Sequence, residues 1–110
     1  YFSKKIDDAA KFNIKDVIID PGFGFAKNIS QNFELLNNLD FFKNLKMPLL
    51  VGLSRKSIIY KTLNIKPEKA LNGSTVLHTI SLIKGANILR VHDVKEAVEC
   101  IKLVDELKKN

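Results

Sequence analysis

The sequence predicts an α/β fold in which parallel strands alternate with helices. Three observations carry that prediction. Three short apolar runs, Val17-Ile18-Ile19, Leu49-Leu50-Val51-Gly52-Leu53 and Ile88-Leu89, each break off into a compact cluster of polar, charged and glycine residues. Each cluster is followed by a stretch with helical periodicity. The runs are apolar almost throughout rather than alternating, as in parallel sheets covered on both faces.

The elements follow in order. Residues 2 to 13 read as a helix with Phe2, Ile6, Ala9 and Ala10 on one face. A first strand covers about residues 16 to 20. Ser30 is the expected N-cap of a second helix that carries Phe33, Leu36, Leu39 and Phe42 inward. Pro48 closes that region, and a second strand covers about residues 49 to 53. Residues 58 to 64 read as a short helical turn, and Pro67 suits the first position of the next helix. That helix shows Ala70, Leu71, Ser74, Leu77, Ile80 and Leu82, with Gly85 as its C-cap. A third strand covers about residues 87 to 91. Asp93 with Glu96 three residues later resembles a capping box. The last helix, to about Leu107, is expected to bury Val94, Ala97, Val98, Ile101 and Val104. The spacing of the strands is roughly 30-odd residues, the size of a strand–helix unit with a right-handed crossover.

Composition narrows the class. With 110 residues there is material for one modest core, and residues 1–110 read as a single partial domain with no linker. No run approaches the roughly 18 apolar residues of a membrane span, and Phe2 to Asp8 is too charged for a signal peptide. Cys100 is the only cysteine, which excludes an intrachain disulfide and points to a cytoplasmic location. The net charge is +6. A basic balance fits nucleic acid or an anionic small ligand. Most of the lysines are scattered along helices, as on solvated faces. The two arginines, Arg55 and Arg90, instead end apolar runs, and a planar guanidinium suits phosphates and flat rings.

Parallel α/β folds put their chemistry at the carboxyl ends of the strands, so the three clusters are candidates for one site. In the third, Arg90 and His92 are two apart on a strand and share a side, while Asp93 points towards the helix it caps. A guanidinium beside an imidazole suits a phosphate or pyrophosphate oxygen; a surface strand end with incidental charge is the alternative. In the second, Gly52, Ser54 and Lys56 share parity if the strand continues. Gly52 leaves room for a flat ligand, and Lys56 can meet a ring carbonyl or the ring face. Ser54 and Ser57 can serve a carboxylate, or Ser57 can cap the helix that follows, whose N-terminus attracts anions. A basic turn in solvent is the plain alternative. In the first, Asp20 can bind the amino-pyrimidine edge of a heterocycle or cap a turn. Gly22-Phe23-Gly24-Phe25-Ala26-Lys27 is no dinucleotide fingerprint, because Lys27 stands where a third glycine is required. Alternating Gly and Phe suits a lid over an aromatic substrate, or rings packed beneath the loop. His78 and Cys100 read as packing residues on their helices.

The chain opens on Tyr1 rather than Met, within a helical pattern, and three parallel strands leave two open edges. These features lead to the expectation that the residues are the C-terminal part of a larger parallel barrel, with the opening helix the fifth and the strands the sixth to eighth.

Taken together, Asp20-Pro21-Gly22-Phe23-Gly24-Phe25, Gly52-Leu53-Ser54-Arg55-Lys56-Ser57 and Arg90-Val91-His92-Asp93-Val94 resemble the last three strand ends of the dihydropteroate synthase family. The resemblance covers essentially the whole chain. It implies a TIM (β/α)8 barrel that joins 4-aminobenzoate to 6-hydroxymethyl-7,8-dihydropterin diphosphate, giving 7,8-dihydropteroate and pyrophosphate in folate biosynthesis. By motif position it implies pterin contacts from Asp20, Gly52, Lys56 and Arg90, and diphosphate contacts from Arg90 and His92. It further implies a 4-aminobenzoate site, also the sulfonamide site, lined by Gly24, Phe25, Ser54 and Ser57. Magnesium is implied, with its protein ligand expected in an N-terminal barrel segment and none in this chain, and so is a homodimer formed through late helices. Ala26 and Tyr60 stand where the family often has glycine. Because the earlier strand loops are absent, the 110 residues alone are expected to be inactive. A pterin-binding methyltransferase barrel is the competing reading, although Arg55-Lys56 and Arg90-Val91-His92 favour the synthase. A basic nucleic-acid-binding module lacks the aromatic–basic stripe such modules use; neither nucleic acid nor membrane is an expected partner.

Overall fold

The computed structural model describes residues 1–11, 17–24 and 27–110. The order of elements is α1 (Phe2–Lys11), α2 (Ile29–Asn37), a 3-10 stretch (Leu39–Leu45), β1 (Leu50–Val51), α3 (Ser57–Leu63), a 3-10 turn (Pro67–Lys69), α4 (Leu71–Ile83), β2 (Ile88–Leu89) and α5 (Val94–Lys108). The fold is α/β, as expected, and richer in helix than in strand.

β1 and β2 are parallel, with Leu50 opposite Ile88 and Val51 opposite Leu89. The expected first strand is present as a single parallel bridge from Ile19 to Leu49. Ile19 N–H donates to Pro48 O at 2.9 Å, and Ile19 O accepts Leu50 N–H at 2.8 Å. The expected start of that strand and the end of the first helix lie outside the described residues. The first two strands are shorter than their apolar runs, while β2 matches Ile88-Leu89. The second ends because Lys56 N–H turns back to Leu53 O at 3.2 Å, with Arg55 left-handed at φ 53°. Ser54 and Lys56 therefore belong to a turn and do not continue the parity of Gly52.

The core lies where the strands meet α2, α3 and α4. Ile19, Phe23, Leu36, Leu39, Val51 and Leu53 are among its buried members, each worth about 1.5–3 kcal/mol of transfer free energy. Val51 is fully buried, whereas Leu50, Ile88 and Leu89 are only half-buried, so the sheet is not covered equally on both faces. A smaller cluster of Leu82, Cys100 and Val104 joins α4 to α5.

Several local expectations are corrected. The cap of α2 is Asn28, not Ser30. Asn28 Oδ1 accepts Gln31 N–H at 2.8 Å and Gln31 Oε1 accepts Asn28 N–H at 2.9 Å, so two otherwise unpaired donors are satisfied at once. That start turns Asn32 and Leu36 inward and leaves Phe33 exposed. Pro67 opens a separate 3-10 turn, and α4 begins only at Leu71. On α5 the buried stripe is Ala97, Cys100 and Val104, while Val94, Val98 and Ile101 are exposed, because α5 packs mainly on α4 alone. Asp93 makes no side-chain cap; its carboxylate is taken by Arg55. On α1, Ala10 is exposed while Phe2 and Ile6 reach the core. Gly85, at φ +113°, follows the last turn of α4 and gives its N–H to Leu82 O at 3.2 Å. Among the described residues no helix is long and apolar enough to cross a membrane.

His78 is buried on α4, and its Nε2 finds no hydrogen-bond partner among the described residues. Burial pushes its pKa below the ordinary 6.5, against a smaller opposite pull from Asp93. The unfolded chain therefore takes up the proton first. Stability contributed by the neutral ring is complete above the unfolded value of about 6.5 and falls as the pH drops below it. In the complete protein, urea unfolding at pH 7.5 and pH 5 should show a steeper acid loss for wild type than for His78→Leu. Equal losses would show that another group is responsible.

Candidate active site

The ends of β1 and β2 and the segment after Ile19 bring the polar clusters to one end of the sheet. Asp20 is fixed first by its own loop: its Oδ1 accepts Gly22 N–H at 2.9 Å, an Asx turn that Gly22 permits at φ 76°. Its Oδ2 lies 3.8 Å from Arg90 Nη1, with the arginine side chain 56% exposed. An open pair of that length is worth at most about 1 kcal/mol. Arg90 is anchored by its backbone, whose N–H donates to Val51 O at 3.0 Å. Its guanidinium lies against Gly52. A Cβ there would come within 2.7 Å of Nη2 and 3.1 Å of Cζ and Nε.

Lys56 crosses to the first cluster, where its Nζ donates to Phe23 O at 2.7 Å. Its stem lies along Gly24, with Cδ 3.4 Å from the position of a Cβ. Burial pushes the Lys56 pKa down. Arg90 and Lys27 push the same way, and Asp20 opposes them. Lys56, Arg90, Lys27 and Asp20 thus share one electrostatic neighbourhood in which cations outnumber the carboxylate.

Ser54 is buried beneath the third cluster. Its Oγ accepts the backbone N–H of His92 at 3.2 Å and lies 2.8 Å from His92 Nδ1. The direction of the second bond follows the tautomer of His92, since a hydroxyl can both donate and accept. His92 is exposed. Phe23, Gly24, Arg55, Lys56, Ser57 and Tyr60 line an open pocket of about 390 Å³. Ser57 enters it as the first residue of α3. Phe23 packs its ring beneath the loop, 1% exposed, and Phe25 lies outside the described residues.

Arg55 differs from the expectation drawn from its place at a strand end. Nε and Nη2 each donate to Asp93 at 3.0 Å. Nη1 donates to the carbonyls of Pro67 at 3.1 Å and Glu68 at 2.9 Å. The hydrogen bond to Asp93 raises the Arg55 pKa and, in return, holds the Asp93 carboxyl below its ordinary range. This arginine is a tie within the chain, and its planar fork is spent on protein groups.

Two contributors were not legible as site residues. Lys27 Nζ donates to Gly22 O at 3.0 Å and Pro21 O at 3.4 Å. Asn32 Oδ1 accepts Gly24 N–H at 2.9 Å. The available signal for Asn32 was its spacing from Leu36 and Leu39, which places an amide on the buried stripe of α2.

Asp20, Lys56 and Arg90 thus share the strand tips, where the excess of positive charge attracts anions, while Ser54 holds His92 just beyond β2. A family model described as pterin binding enzyme matches residues 1–92. The chain belongs to the pterin binding enzyme family. It is 45% identical over 107 residues to the dihydropteroate synthase of Escherichia coli K12, covering 96% of this chain and 38% of that protein. It is 39% identical over 108 residues to a bifunctional dihydropteroate synthase/dihydropteroate reductase of Helicobacter pylori, covering 98% of this chain and 28% of that protein. Among solved structures, the Yersinia pestis dihydropteroate synthase superposes with a TM-score of 0.94 at 39% identity, over 99% of this chain and 52% of that one. A Coxiella burnetii dihydropteroate synthase in complex with pteroic acid gives 0.93 at 41% identity, over 98% of this chain and 41% of that one. The chain thus spans well under half the length of the curated relatives it matches.

Gly52 and Arg90 provide a direct test of this geometry. In Gly52→Ala the new methyl meets the flexible end of Arg90 rather than fixed backbone, so the fold should hold while the guanidinium moves. Inorganic pyrophosphate binding to the complete protein, measured by calorimetry, should weaken about tenfold with little change in melting temperature. Unchanged binding would remove Arg90 from the anion site.

Proposed function

We propose that this chain is the C-terminal part of a (β/α)8-barrel dihydropteroate synthase acting in the cytoplasm. The observation that carries the reading is the convergence of Asp20, Lys56, Arg90 and His92 at one end of parallel strands, in a chain of the pterin binding enzyme family. Remaining barrel strands would pair on the free edges beside Ile19 and β2. A second copy would cover the exposed Val94, Val98 and Leu103 of α5.

In the reaction, the bond between the pterin methylene carbon and the diphosphate oxygen breaks, and pyrophosphate leaves with the electron pair. A carbon–nitrogen bond forms to the amine of 4-aminobenzoate, which then loses a proton. Arg90 and the His92 ring meet the charge that builds on the leaving diphosphate; preorganised donors of this kind favour the transition state over the ground state. Asp20 holds the amino edge of the pterin and offsets positive charge on the ring. Lys56 meets the carbonyl side. Gly52 leaves space for a flat ring once Arg90 lifts onto its face. Gly24, Phe25, Ser54 and Ser57 are assigned to 4-aminobenzoate. Of these, Gly24 and Ser57 line the open pocket, and Ser54 contributes through His92. A weakly nucleophilic aniline nitrogen mainly requires positioning.

Magnesium belongs to this reading as a partner of the diphosphate. Among the described residues no three His, Cys, Asp or Glu side chains converge on a metal position. Its protein ligand is assigned to the segment that supplies the earlier strands.

The complete protein should release pyrophosphate only when both pterin diphosphate and 4-aminobenzoate are supplied. Arg90→Ala and Lys56→Ala should each lower kcat/KM about a hundredfold, while the 110 residues alone should release none. Methyl transfer from methyltetrahydrofolate by the complete protein, with no dihydropteroate formed, would overturn the reading in favour of a methyltransferase. Pyrophosphate release by the isolated chain would overturn the view that this site is partial.

A further inference from the structure

One peptide unit joins two side chains that come from different parts of the chain. Asn32, on α2, is 1% exposed, and its Oδ1 accepts Gly24 N–H at 2.9 Å. The carbonyl of the same peptide, Phe23 O, accepts Lys56 Nζ at 2.7 Å. The N–H and C=O of a trans peptide lie in one plane and point opposite ways, so fixing the first aims the second. The preceding carbonyl, Gly22 O, is held by Lys27 Nζ at 3.0 Å. We propose that Asn32 is a positioning residue, which anchors the Phe23–Gly24 peptide so that Phe23 O holds the Lys56 ammonium at the strand tips.

Core filling alone does not account for an amide at this position. Asn32 Nδ2 finds no partner among the described residues, and a buried donor left unpaired destabilises. Leucine would fill a similar volume without that penalty. Gly24 itself is exposed, so water can take its N–H when the amide oxygen is removed. Replacing Asn32 therefore disturbs the aim of Lys56 more than it disturbs the fold.

The kinetic part of the test rests on the proposed role of Lys56, while a labelling part does not. In the complete protein, Asn32→Leu should raise the KM for pterin diphosphate roughly fivefold and leave the melting temperature near that of wild type. Acetylation of Lys56 by acetic anhydride, followed by mass spectrometry, should accelerate by a similar roughly fivefold factor, since an ammonium released from a carbonyl gives up its proton more readily. Lys56 labelling within about twofold of wild type would overturn the proposal, as would a large loss of melting temperature with both other readouts unchanged. If the wild-type protein does not use pterin diphosphate, the functional reading fails while labelling still decides whether Asn32 aims Lys56. Asn32→Ala supplies the same comparison should the leucine variant not fold.

Discussion

Arg55 stands where the chain leaves β1, in a left-handed conformation with φ 53°. That conformation costs a non-glycine residue roughly 1–2 kcal/mol, so something must hold it there. Its backbone N–H donates to Ser74 Oγ on α4 at 2.9 Å. Its guanidinium reaches Asp93 ahead of α5 and the carbonyls of Pro67 and Glu68. One residue therefore ties the β1 turn to α4, to the 3-10 turn before it and to the segment after β2. Ser54 and Lys56 flank it in sequence. The distance from Ser54 to His92 and the reach of Lys56 to Phe23 both depend on where this tie sets the turn. Because the pairing is a bidentate fork on a carboxylate, a lysine in its place would supply the charge but not the geometry.

With Arg55 and Asp93 neutralising each other, the charge available at the tips comes from Arg90, Lys56, Lys27 and Asp20. Lys56 is pulled down in pKa by burial and by its cationic neighbours, yet it is held against a carbonyl oxygen, which favours the ammonium form. Among the described residues, the Arg90 guanidinium has no such tie beyond the long contact to Asp20. The result is a local excess of positive charge. That arrangement fits an anionic group arriving from solution better than it fits internal pairing.

Much of this was legible in the sequence because parallel α/β chains repeat a short apolar run, a polar tip and a helix. The three runs, the helices around Leu36, Leu77 and Val104, and the grouping of Asp20, Lys56, Arg90 and His92 all follow from that repeat. What was not legible depends on contacts across the chain. Arg55 and Arg90 occupy equivalent places after apolar runs, and only the position of Asp93 decides that the first is a tie and the second is open. Asp93 reads as a helix cap by local spacing, but an arginine from a residue 38 positions earlier outcompetes its own backbone. Strand parity failed at Ser54 because the turn closed by Leu53 O ends the extended chain. Asn28 displaced Ser30 as a cap because it alone is matched by a glutamine three residues on. The apolar positions of α5 split into a buried and an exposed set, since periodicity gives the stripe but not the width of what covers it.

The tip residues divide into two groups by how they are held. Ser54, Lys56 and the Phe23–Gly24 peptide are fixed by hydrogen bonds of 2.7–2.9 Å to other parts of the chain. Asp20 and Arg90 face each other at 3.8 Å, both substantially exposed. A site gains from fixed dipoles, because orienting them at the moment of binding costs free energy. Under the proposed reading it also needs members that can move, because a flat ring would enter beside Gly52, where the Arg90 guanidinium now lies. Among the described residues, the weak Asp20–Arg90 contact is an interaction at the tips that can open at little cost. Entry of a ring would exchange a solvent-exposed ion pair for a carboxylate on one ring edge and a guanidinium on its face. The stiffness of the second cluster and the looseness between the first and third thus meet one requirement of the proposed reading: a fixed frame with a part that moves.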